Sequence, residues 1–232
     1  MKAALEPIAV FSDFDGTVTT KDTTVLLLEL FGNPAWLDIE ERMLAGEISE
    51  AEGMSAEFAL INTSWEEAIG AILNEIHLDS TFPGFIAWLG EAGVPITILS
   101  GGVEEISRGL LKKHGIEELE VYANRLHVEN NRWTLIPSDR PKIKGLCNHC
   151  KTFSVLESQQ AGYRTVYIGD GFTDRCPAGK ADIIFAKDDL AAYCELNSIE
   201  FHCFRDFTDI RIQLERLISH IRFDKKITGK DA

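Results

Sequence analysis

Short apolar segments alternate with helical stretches along this chain, and the alternation restricts the possible folds more than any other feature. Five segments of four to six residues are rich in β-branched and aromatic side chains: IAVFSD (8–13), ITILS (96–100), TVYIGD (165–170), IIFA (183–186) and FHCF (201–204). Strands buried on both faces have this character, and intervening helices permit parallel pairing. The sequence therefore predicts an α/β fold with a Rossmann-like three-layer core, in which helices cover both faces of a parallel sheet.

The first two predicted strands are separated by a large insertion. About eighty residues lie between them, whereas a crossover between parallel strands needs only about a dozen. Over 33–82 the apolar residues recur at near-helical spacing,. We expect a helical cap domain at 33–82 and an α/β core formed by 1–32 and 83–232. A separate segment, ANRLHVENNRWTLI (123–136), predicts a β-hairpin attached to the sheet,.

Capping residues indicate several helix ends. Ser64 precedes WEEAIGAILNEI as an N-cap, while Gly93 and Gly115 occupy positions typical of C-terminal capping glycines,. We expect the last helix over 206–222. The polar segment after it has no apolar period and should fray.

The charge of the chain limits its partners. With a formal net charge of −14 over 232 residues, binding to nucleic acid or anionic membranes through the overall field is disfavoured. Glu6 and Pro7 interrupt the N-terminus before any signal-peptide-like run, and no segment approaches the ~20 apolar residues of a membrane span,. We expect a cytoplasmic protein that binds neither nucleic acid nor membrane, and its oligomeric state is left open.

Five cysteines are too few and too scattered to form a disulfide framework, so reduced thiols are expected,. The sequence CNHC, from Cys147 to Cys150 with His149 between, contains residues that can bind zinc. No second pair with zinc-ligand spacing follows. We therefore favour a tight turn over a zinc site.

Polar residues follow three of the predicted strands. Asp13 and Asp15 end the first, Ser100 and Gly101 follow the second, and Asp170 and Asp174 follow the third. Because the carboxyl ends of parallel strands form one crevice, these residues should converge. Taken alone, each motif is explained more simply as an Asp-Gly turn or a glycine-containing loop than as part of a functional site. A calcium loop in DFDG is excluded, since Val18 and Thr24 occupy its glycine and glutamate positions,.

The converging carboxylates indicate a metal site and phosphoryl transfer. Asp13, Asp170 and Asp174 together would need a hard cation such as Mg²⁺. The negative charge of a metal-bound carboxylate raises the pKa of a second carboxyl beside it, so the second one tends to be protonated. Asp13 therefore suits the role of nucleophile and Asp15 that of general acid. The Ser100 hydroxyl with the amides of the next two glycines can bind phosphate oxygens. A lysine should complete the set.

The motifs DFDGT, ILSGG and GDGFTD, in this order with a lysine before the last, resemble the haloacid dehalogenase superfamily of aspartate-nucleophile phosphatases. The resemblance implies a phosphoaspartate on Asp13, with Asp15 as acid and base and as a metal ligand through its backbone carbonyl. It implies Asp170 as a direct Mg²⁺ ligand and Asp174 as its support. Of the candidate phosphate-binding lysines we favour the one that begins the helix before the TVYIGD strand; they are Lys142, Lys144 and Lys151.

The segments CNHCK and GDGFTDRCPAGKADIIFAK resemble the branch of this superfamily that includes phosphoserine phosphatases and methionine-salvage phosphatases. This resemblance implies a small phosphorylated metabolite as the substrate, with the enol phosphate of methionine salvage favoured. Four residues of the predicted cap have two interpretations: they form an apolar wall for the methylthio tail of this substrate, or they pack the cap helices against each other. They are Met43, Met54, Phe58 and Trp65.

An amino-phosphate such as phosphoserine, phosphoethanolamine or phosphocholine is the alternative substrate. Asp22 would then bind the amine, although an exposed loop carboxylate is the favoured interpretation of this residue.

Two non-enzymatic hypotheses use the same motifs. A signalling receiver domain also forms a phosphoaspartate with Mg²⁺, but it lacks a cap and an acid in the position of Asp15. An inactive binding module is disfavoured because every motif position holds a competent residue.

Overall fold

The computed structural model describes residues 7–143 and 150–228, and for 218–228 it describes the backbone alone. The strands within these residues are β1 Ile8–Ser12, β2 Ile96–Val103, β3 Glu120–Glu129, β4 Arg132–Ile136, β5 Arg164–Gly169, β6 Ile183–Ala186 and β7 His202–Cys203. They form one seven-stranded sheet in the order β4-β3-β2-β1-β5-β6-β7. Neighbouring strands pair in parallel except β3 and β4, which are antiparallel.

The described helices alternate with these strands, so the predicted α/β fold class is confirmed. They are α1 Thr23–Phe31, α2 Trp36–Leu44, α3 Glu50–Phe58, α4 Trp65–Glu75, α5 Phe82–Ala92, α6 Glu104–Lys113, α7 Lys151–Gln160, α8 Arg175–Ala178, α9 Asp188–Leu196 and α10 Phe207–Thr228, with a 3₁₀ turn at Phe172–Asp174. No described helix is long and apolar enough to cross a membrane.

Two boundaries differ from the sequence predictions. Strand β2 continues to Val103, so Ser100 and Gly101 lie within the strand rather than after it, and its register with β3 shifts between Leu99 and Val103. Helix α10 continues to Thr228 instead of fraying after Arg222. Residues 223–228 contain no glycine or proline that would interrupt a helix,. The next residue in the sequence is Gly229.

The predicted helix caps are found. The Ser64 side chain accepts a hydrogen bond from the Glu67 amide at 3.2 Å at the start of α4. Gly93 and Gly115 have φ angles of 66° and 73° after α5 and α6, in the left-handed region that glycine adopts without steric cost,.

Strand β1 occupies the centre of the sheet, between β2 and β5. Its apolar residues belong to a continuous core with β2 and β5, of which Val10, Ile98, Val166 and Ile168 are at most 1% exposed. The Asp13 amide donates to the Ile168 carbonyl at 2.9 Å. The backbone therefore fixes Asp13 at the carboxyl end of the central strand.

The predicted hairpin connects the sheet to the inserted helices. Its turn residues Asn130 and Asn131 have φ angles of 50° and 59°, as two-residue hairpins with matching twist require,. Trp133 on β4 packs against Phe58 and Trp65 at ring-centroid distances of 6.4 and 6.1 Å. Its indole nitrogen donates to the Thr63 carbonyl at 2.8 Å. The hairpin thus supports the helices inserted after β1.

Helices α2, α3 and α4 lie within the predicted cap segment, 33–82. Their buried residues share one apolar cluster with the sheet. The division into a cap and a core therefore stays a prediction about domains, since packing alone does not separate them.

Candidate active site

Three carboxylates meet at the carboxyl end of the central strands. Asp13 follows β1, Asp170 follows β5, and Asp174 ends the 3₁₀ turn beyond it. One oxygen from each lies within 4.8 Å of the others. The predicted convergence is therefore present in the fold, and it places residues 161 positions apart in sequence at one point.

Lys151 connects two of these carboxylates. It is the first residue of α7, it is 4% exposed, and its ammonium lies 2.5 Å from Asp13 Oδ1 and 2.7 Å from Asp174 Oδ1. A third hydrogen bond goes to Thr173 Oγ1 at 2.9 Å. All three ammonium protons therefore have acceptors, which is the condition for burying a lysine. Of the other candidate lysines, Lys142 is exposed, and Lys144 lies outside the described residues.

Asp174 is saturated with hydrogen bonds. Its Oδ1 accepts from Lys151 and from the Tyr167 hydroxyl at 2.6 Å, and its Oδ2 accepts from the amides of Asp170 and Gly171 at 3.0 Å each. Little lone-pair capacity is left for a cation. Asp174 is therefore better placed to orient Lys151 and the Asp170 loop than to bind metal directly.

Asp15 occupies a different environment from Asp13. Its Oδ1 accepts from the Thr23 amide at the start of α1 at 2.9 Å, and its Oδ2 accepts from the Ser100 hydroxyl at 3.3 Å. The positive end of a helix dipole thus faces this carboxyl. The two aspartates of the DFDG motif are consequently separated: one pairs with the buried lysine and the other with a helix N-terminus.

At two positions the backbone passes so close to these carboxyls that only glycine fits. Gly16 has a φ of 76°, and a Cβ there would collide with the Asp170 carboxylate. A Cβ on Gly102 would lie 2.8 Å from Asp15 Oδ2. Both positions therefore exclude larger side chains.

Burial changes the protonation behaviour of the cluster. Burial first, and the negative charge of Asp174 second, raise the pKa of Asp13 well above its usual range, against the opposing charge of Lys151. Burial, with a contribution from Asp22, raises the pKa of Asp15 to about 6, which suits a group that donates and then accepts a proton near neutral pH,. Burial raises the pKa of Asp170 to about 6 as well, opposed by a hydrogen bond from Thr17.

A cavity of about 260 Å³ opens directly above these carboxyls. Its floor includes Asp13, Asp15, Asp170 and the glycines Gly101 and Gly102. Its walls come from α1, α2 and α3 and from the loop after β5, with apolar residues Val25, Leu28, Trp36, Met43, Leu44, Met54 and Phe172 and carboxylates Asp22, Glu40, Glu50 and Glu57. The inserted helices therefore enclose the space above the predicted nucleophile.

The predicted substrate residues occupy different positions around this cavity. Gly101 lines it, while Ser100 is fully buried beneath it, accepting from the Gly102 amide at 2.9 Å and donating to Asp15. Asp22 lines the cavity but is exposed, and it caps α1 by accepting from the Val25 amide at 2.9 Å. Met43 and Met54 line the wall, whereas Phe58 and Trp65 pack against Trp133.

Four residues that shape the site were not predicted from the sequence. Thr17 donates to Asp170, Tyr167 donates to Asp174, and Thr173 accepts from Lys151. Glu57, on α3, is 3% exposed and lines the cavity wall. The hydroxyl residues Thr17, Tyr167 and Thr173 lie within the segments DFDGT, TVYIGD and GDGFTD, so their sequence positions could have indicated that they belong to the site. Nothing in the sequence distinguishes Glu57 from the exposed glutamates around it.

The CNHC segment gives little information about the site. Its first three residues, 147–149, lie outside the described residues, so the predicted tight turn is not described. Cys150 is a free, buried thiol whose sulfur accepts from the Ile143 amide at 3.4 Å. Cys176, Cys194 and Cys203 are also free thiols.

The sequence matches the family model of haloacid dehalogenase-like hydrolases over residues 10–178. That segment contains all of the carboxyls described above together with Lys151. The chain belongs to the haloacid dehalogenase-like hydrolases. This confirms the family that the three motifs predicted.

Curated relatives refine the position of this haloacid dehalogenase-like hydrolase within its family. A protein of Bacillus cereus strain AH820 named 2-hydroxy-3-keto-5-methylthiopentenyl-1-phosphate phosphatase is 31% identical over 219 residues, which are 91% of this chain and 97% of the relative. A Bacillus anthracis protein of the same name has the same identity and coverage. The chain is accordingly a phosphoric monoester hydrolase of this family, as the sequence predicted.

Solved structures agree with this hydrolase in fold. A phosphoserine phosphatase carrying an analogue of the phospho-aspartyl intermediate aligns with a TM-score of 0.63 and 17% identity, covering 90% of this chain and 99% of that one. The phosphoserine phosphatase of T. onnurineus aligns with a TM-score of 0.66 and 17% identity, covering 90% and 95%. At these identities the likeness supports the α/β architecture.

Glu57 provides a test of the cavity's electrostatics through stability. Burial first, then the charges of Glu40 and Asp22, raise its pKa from 4.5 to about 7. The folded state therefore holds this proton more tightly than the unfolded state, so Glu57 lowers stability progressively as pH rises from 4.5 to 7. We expect Glu57→Gln to raise the free energy of unfolding by about 2 kcal/mol at pH 8, with little change at pH 4.5.

Urea denaturation at both pH values measures this difference. Glu41→Gln is the matched control, because Glu41 is an exposed glutamate on α2 and should change stability by less than about 0.5 kcal/mol at either pH,. Equal stability of the Glu57→Gln variant and the wild type at pH 8 would show that the carboxyl is well solvated.

Proposed function

We propose that this chain hydrolyses small phosphomonoesters with Mg²⁺ through a phosphoaspartate intermediate on Asp13. The observation that supports the proposal best is the separation of the two neighbouring carboxyls. Asp13 lies at the cavity floor beside Lys151 and Asp170, and Asp15 faces the start of α1 with a pKa raised to about 6. One carboxyl is thus positioned to attack and the other to carry a proton.

The residues fit a bound divalent cation. Asp13, Asp170 and Asp174 bring three negative charges into a buried cluster that contains one lysine charge, which leaves an excess of two. Hard carboxylate oxygens are the ligands that Mg²⁺ prefers. We assign Asp13 and Asp170, with the backbone carbonyl of Asp15, as the ligands, and Asp174 as their support. Bound Mg²⁺ would supply charge neutralisation to the phosphoryl oxygens.

The chain's own groups then account for the steps of hydrolysis. Lys151 favours the ionised form of Asp13 and aligns it for attack on phosphorus, while Asp15 donates a proton to the leaving oxygen. Asp15 afterwards accepts a proton from the water that cleaves the phosphoaspartate. The Gly101 region would bind the phosphoryl oxygens at the cavity floor, and the helices above exclude bulk water,. Ser100, predicted to bind them too, would first have to turn its hydroxyl away from Asp15.

The covered cavity supports an enzyme over a signalling receiver domain. Receivers need an exposed phosphoaspartate and no proton donor, whereas here α1, α2 and α3 enclose the site and Asp15 lies within it. The net charge of −14 fits a protein that acts on metabolites without binding nucleic acid, and a cytoplasmic location stays a prediction,.

Two substrate classes follow from different observations. The relatives' name makes the enol phosphate 2-hydroxy-3-keto-5-methylthiopentenyl-1-phosphate a candidate, and the apolar wall with Met43 and Met54 can contact a methylthio tail,. An amino-phosphate is the second candidate, because four carboxylates line the same wall: Asp22, Glu40, Glu50 and Glu57.

Phosphate release tests the proposal directly. We expect the purified protein to hydrolyse p-nitrophenyl phosphate with Mg²⁺ present, and to lose at least about 10²-fold in rate after chelation, because the transition-state charge would lose its main counter-charge. Added Mg²⁺ should restore the rate. Hydrolysis that persists unchanged in chelator would overturn the metal assignment, and no hydrolysis under any condition would overturn the proposed activity.

A further inference from the structure

Glu57 is a buried carboxylate that the proposed chemistry does not use. It lies on α3, is 3% exposed, and lines the cavity above the catalytic carboxyls. Among the described residues its side-chain carboxylate has no hydrogen-bond or ion-pair partner, unlike the carboxylates of Asp13, Asp15 and Asp174. Burying a carboxylate without a partner is costly, so residues of this kind are rarely retained for stability.

The wall around Glu57 carries more negative charge. Glu40 and Asp22 line the same cavity as Glu57, and their negative charges contribute to its raised pKa. The described residues that line the cavity include no lysine, arginine or histidine side chain. The nearby cation Lys151 is fully engaged beneath the floor by Asp13, Asp174 and Thr173. Among the described residues, no cation therefore compensates the carboxylates of Glu57 and Glu40.

We propose that Glu57 and Glu40 form a subsite for a cationic group on the substrate's leaving alcohol, so that this hydrolase prefers phosphate esters of amino alcohols. The inference rests on the proposed function, because the phosphoryl end must bind at Asp13. An ammonium group in the cavity would give Glu57 the partner that it lacks and would offset the charge of Glu40. Asp22 has a separate task in capping α1.

The same wall explains how a small ammonium group can be enclosed. Trp36, 9% exposed, lines the cavity with the acidic residues. Phe172 also lines it, but the Arg175 guanidinium already lies over its ring, 4.5 Å from the centroid. Aromatic faces attract ammonium and quaternary ammonium groups. A substrate carboxylate, as in phosphoserine, would find no cationic side chain among the described lining residues. The expected substrates are therefore phosphate esters of ethanolamine or choline type rather than amino-acid phosphates.

Pairs of isosteric esters test the subsite. Phosphoethanolamine and n-propyl phosphate differ by an ammonium group in place of a methyl group. Phosphocholine and 3,3-dimethylbutyl phosphate differ by a trimethylammonium group in place of a tert-butyl group. We expect wild-type kcat/KM to favour the cationic ester in at least one pair by about tenfold or more. In Glu57→Gln that ratio should fall to about one, because the ion pair that produces the preference is lost. Glu41→Gln, on the exposed face of α2, should leave the ratio unchanged.

Each outcome decides one of the proposals. A wild-type enzyme that hydrolyses p-nitrophenyl phosphate but shows no cationic preference in either pair overturns the subsite and leaves the proposed function standing. A ratio that changes equally in Glu57→Gln and Glu41→Gln also overturns it. Absence of any hydrolysis overturns the proposed function itself. If circular dichroism shows that Glu57→Gln does not fold, Glu40→Gln takes its place, because Glu40 is half-buried in the same wall. The ratio of kcat/KM for the cationic and neutral esters then decides for or against the subsite.

Discussion

Replacing Asp13 with asparagine should abolish phosphate release while leaving the fold intact. The amide has no negative charge with which to attack phosphorus, so we expect kcat to fall on the order of 10⁴-fold or more, as for other covalent nucleophiles. The fold should persist because Lys151 keeps its ion pair with Asp174 at 2.7 Å. Steady-state phosphate release and circular dichroism together measure both expectations.

Asp15→Asn is the comparison variant, since it makes the same chemical change two residues away from the nucleophile. It should slow turnover strongly without preventing attack, because leaving-group protonation and water activation depend on Asp15. A rapid-quench experiment should therefore trap phosphoenzyme in Asp15→Asn and none in Asp13→Asn. Near-native activity in Asp13→Asn would refute the phosphoaspartate mechanism.

Removing Lys151 should affect both activity and stability. The side chain is 4% exposed and bridges Asp13 and Asp174, so Lys151→Ala leaves two buried carboxylates without their cation. We expect kcat/KM to fall by at least about 10²-fold and the free energy of unfolding to fall by about 3 kcal/mol at pH 8. Phosphate release and urea denaturation of the same preparation provide the two measurements.

Lys142→Ala is the matched control, because Lys142 is exposed and should change neither quantity appreciably. Lys144→Ala completes the comparison of the three candidate lysines. If either variant lost far more activity than Lys151→Ala, the lysine assignment would be wrong, while the proposed phosphatase activity would stand.

The sequence by itself determined the fold class and the identity of the central residues. Strands that are apolar along their whole length can bury their side chains only in a sheet that is covered on both faces. The carboxyl ends of such parallel strands meet at one edge of the sheet. This topology, seen in the order β3-β2-β1-β5-β6, placed Asp13, Asp170 and Asp174 together without any knowledge of side-chain contacts. Local signals also sufficed for the Ser64 cap and the hairpin turn at Asn130 and Asn131, because caps and turns depend on neighbouring residues,.

The tertiary structure alone decided how the carboxyls divide their tasks. Asp13 and Asp15 have the same chemistry in sequence, and their difference comes from distant partners, a lysine 138 residues away for one and the start of α1 for the other. Glu57 became distinct from Glu41 only because α3 turns it toward the cavity and α2 turns Glu41 toward solvent. Burial, and the electric field that accompanies it, depend on which elements pack together, and a single sequence does not contain that arrangement in readable form.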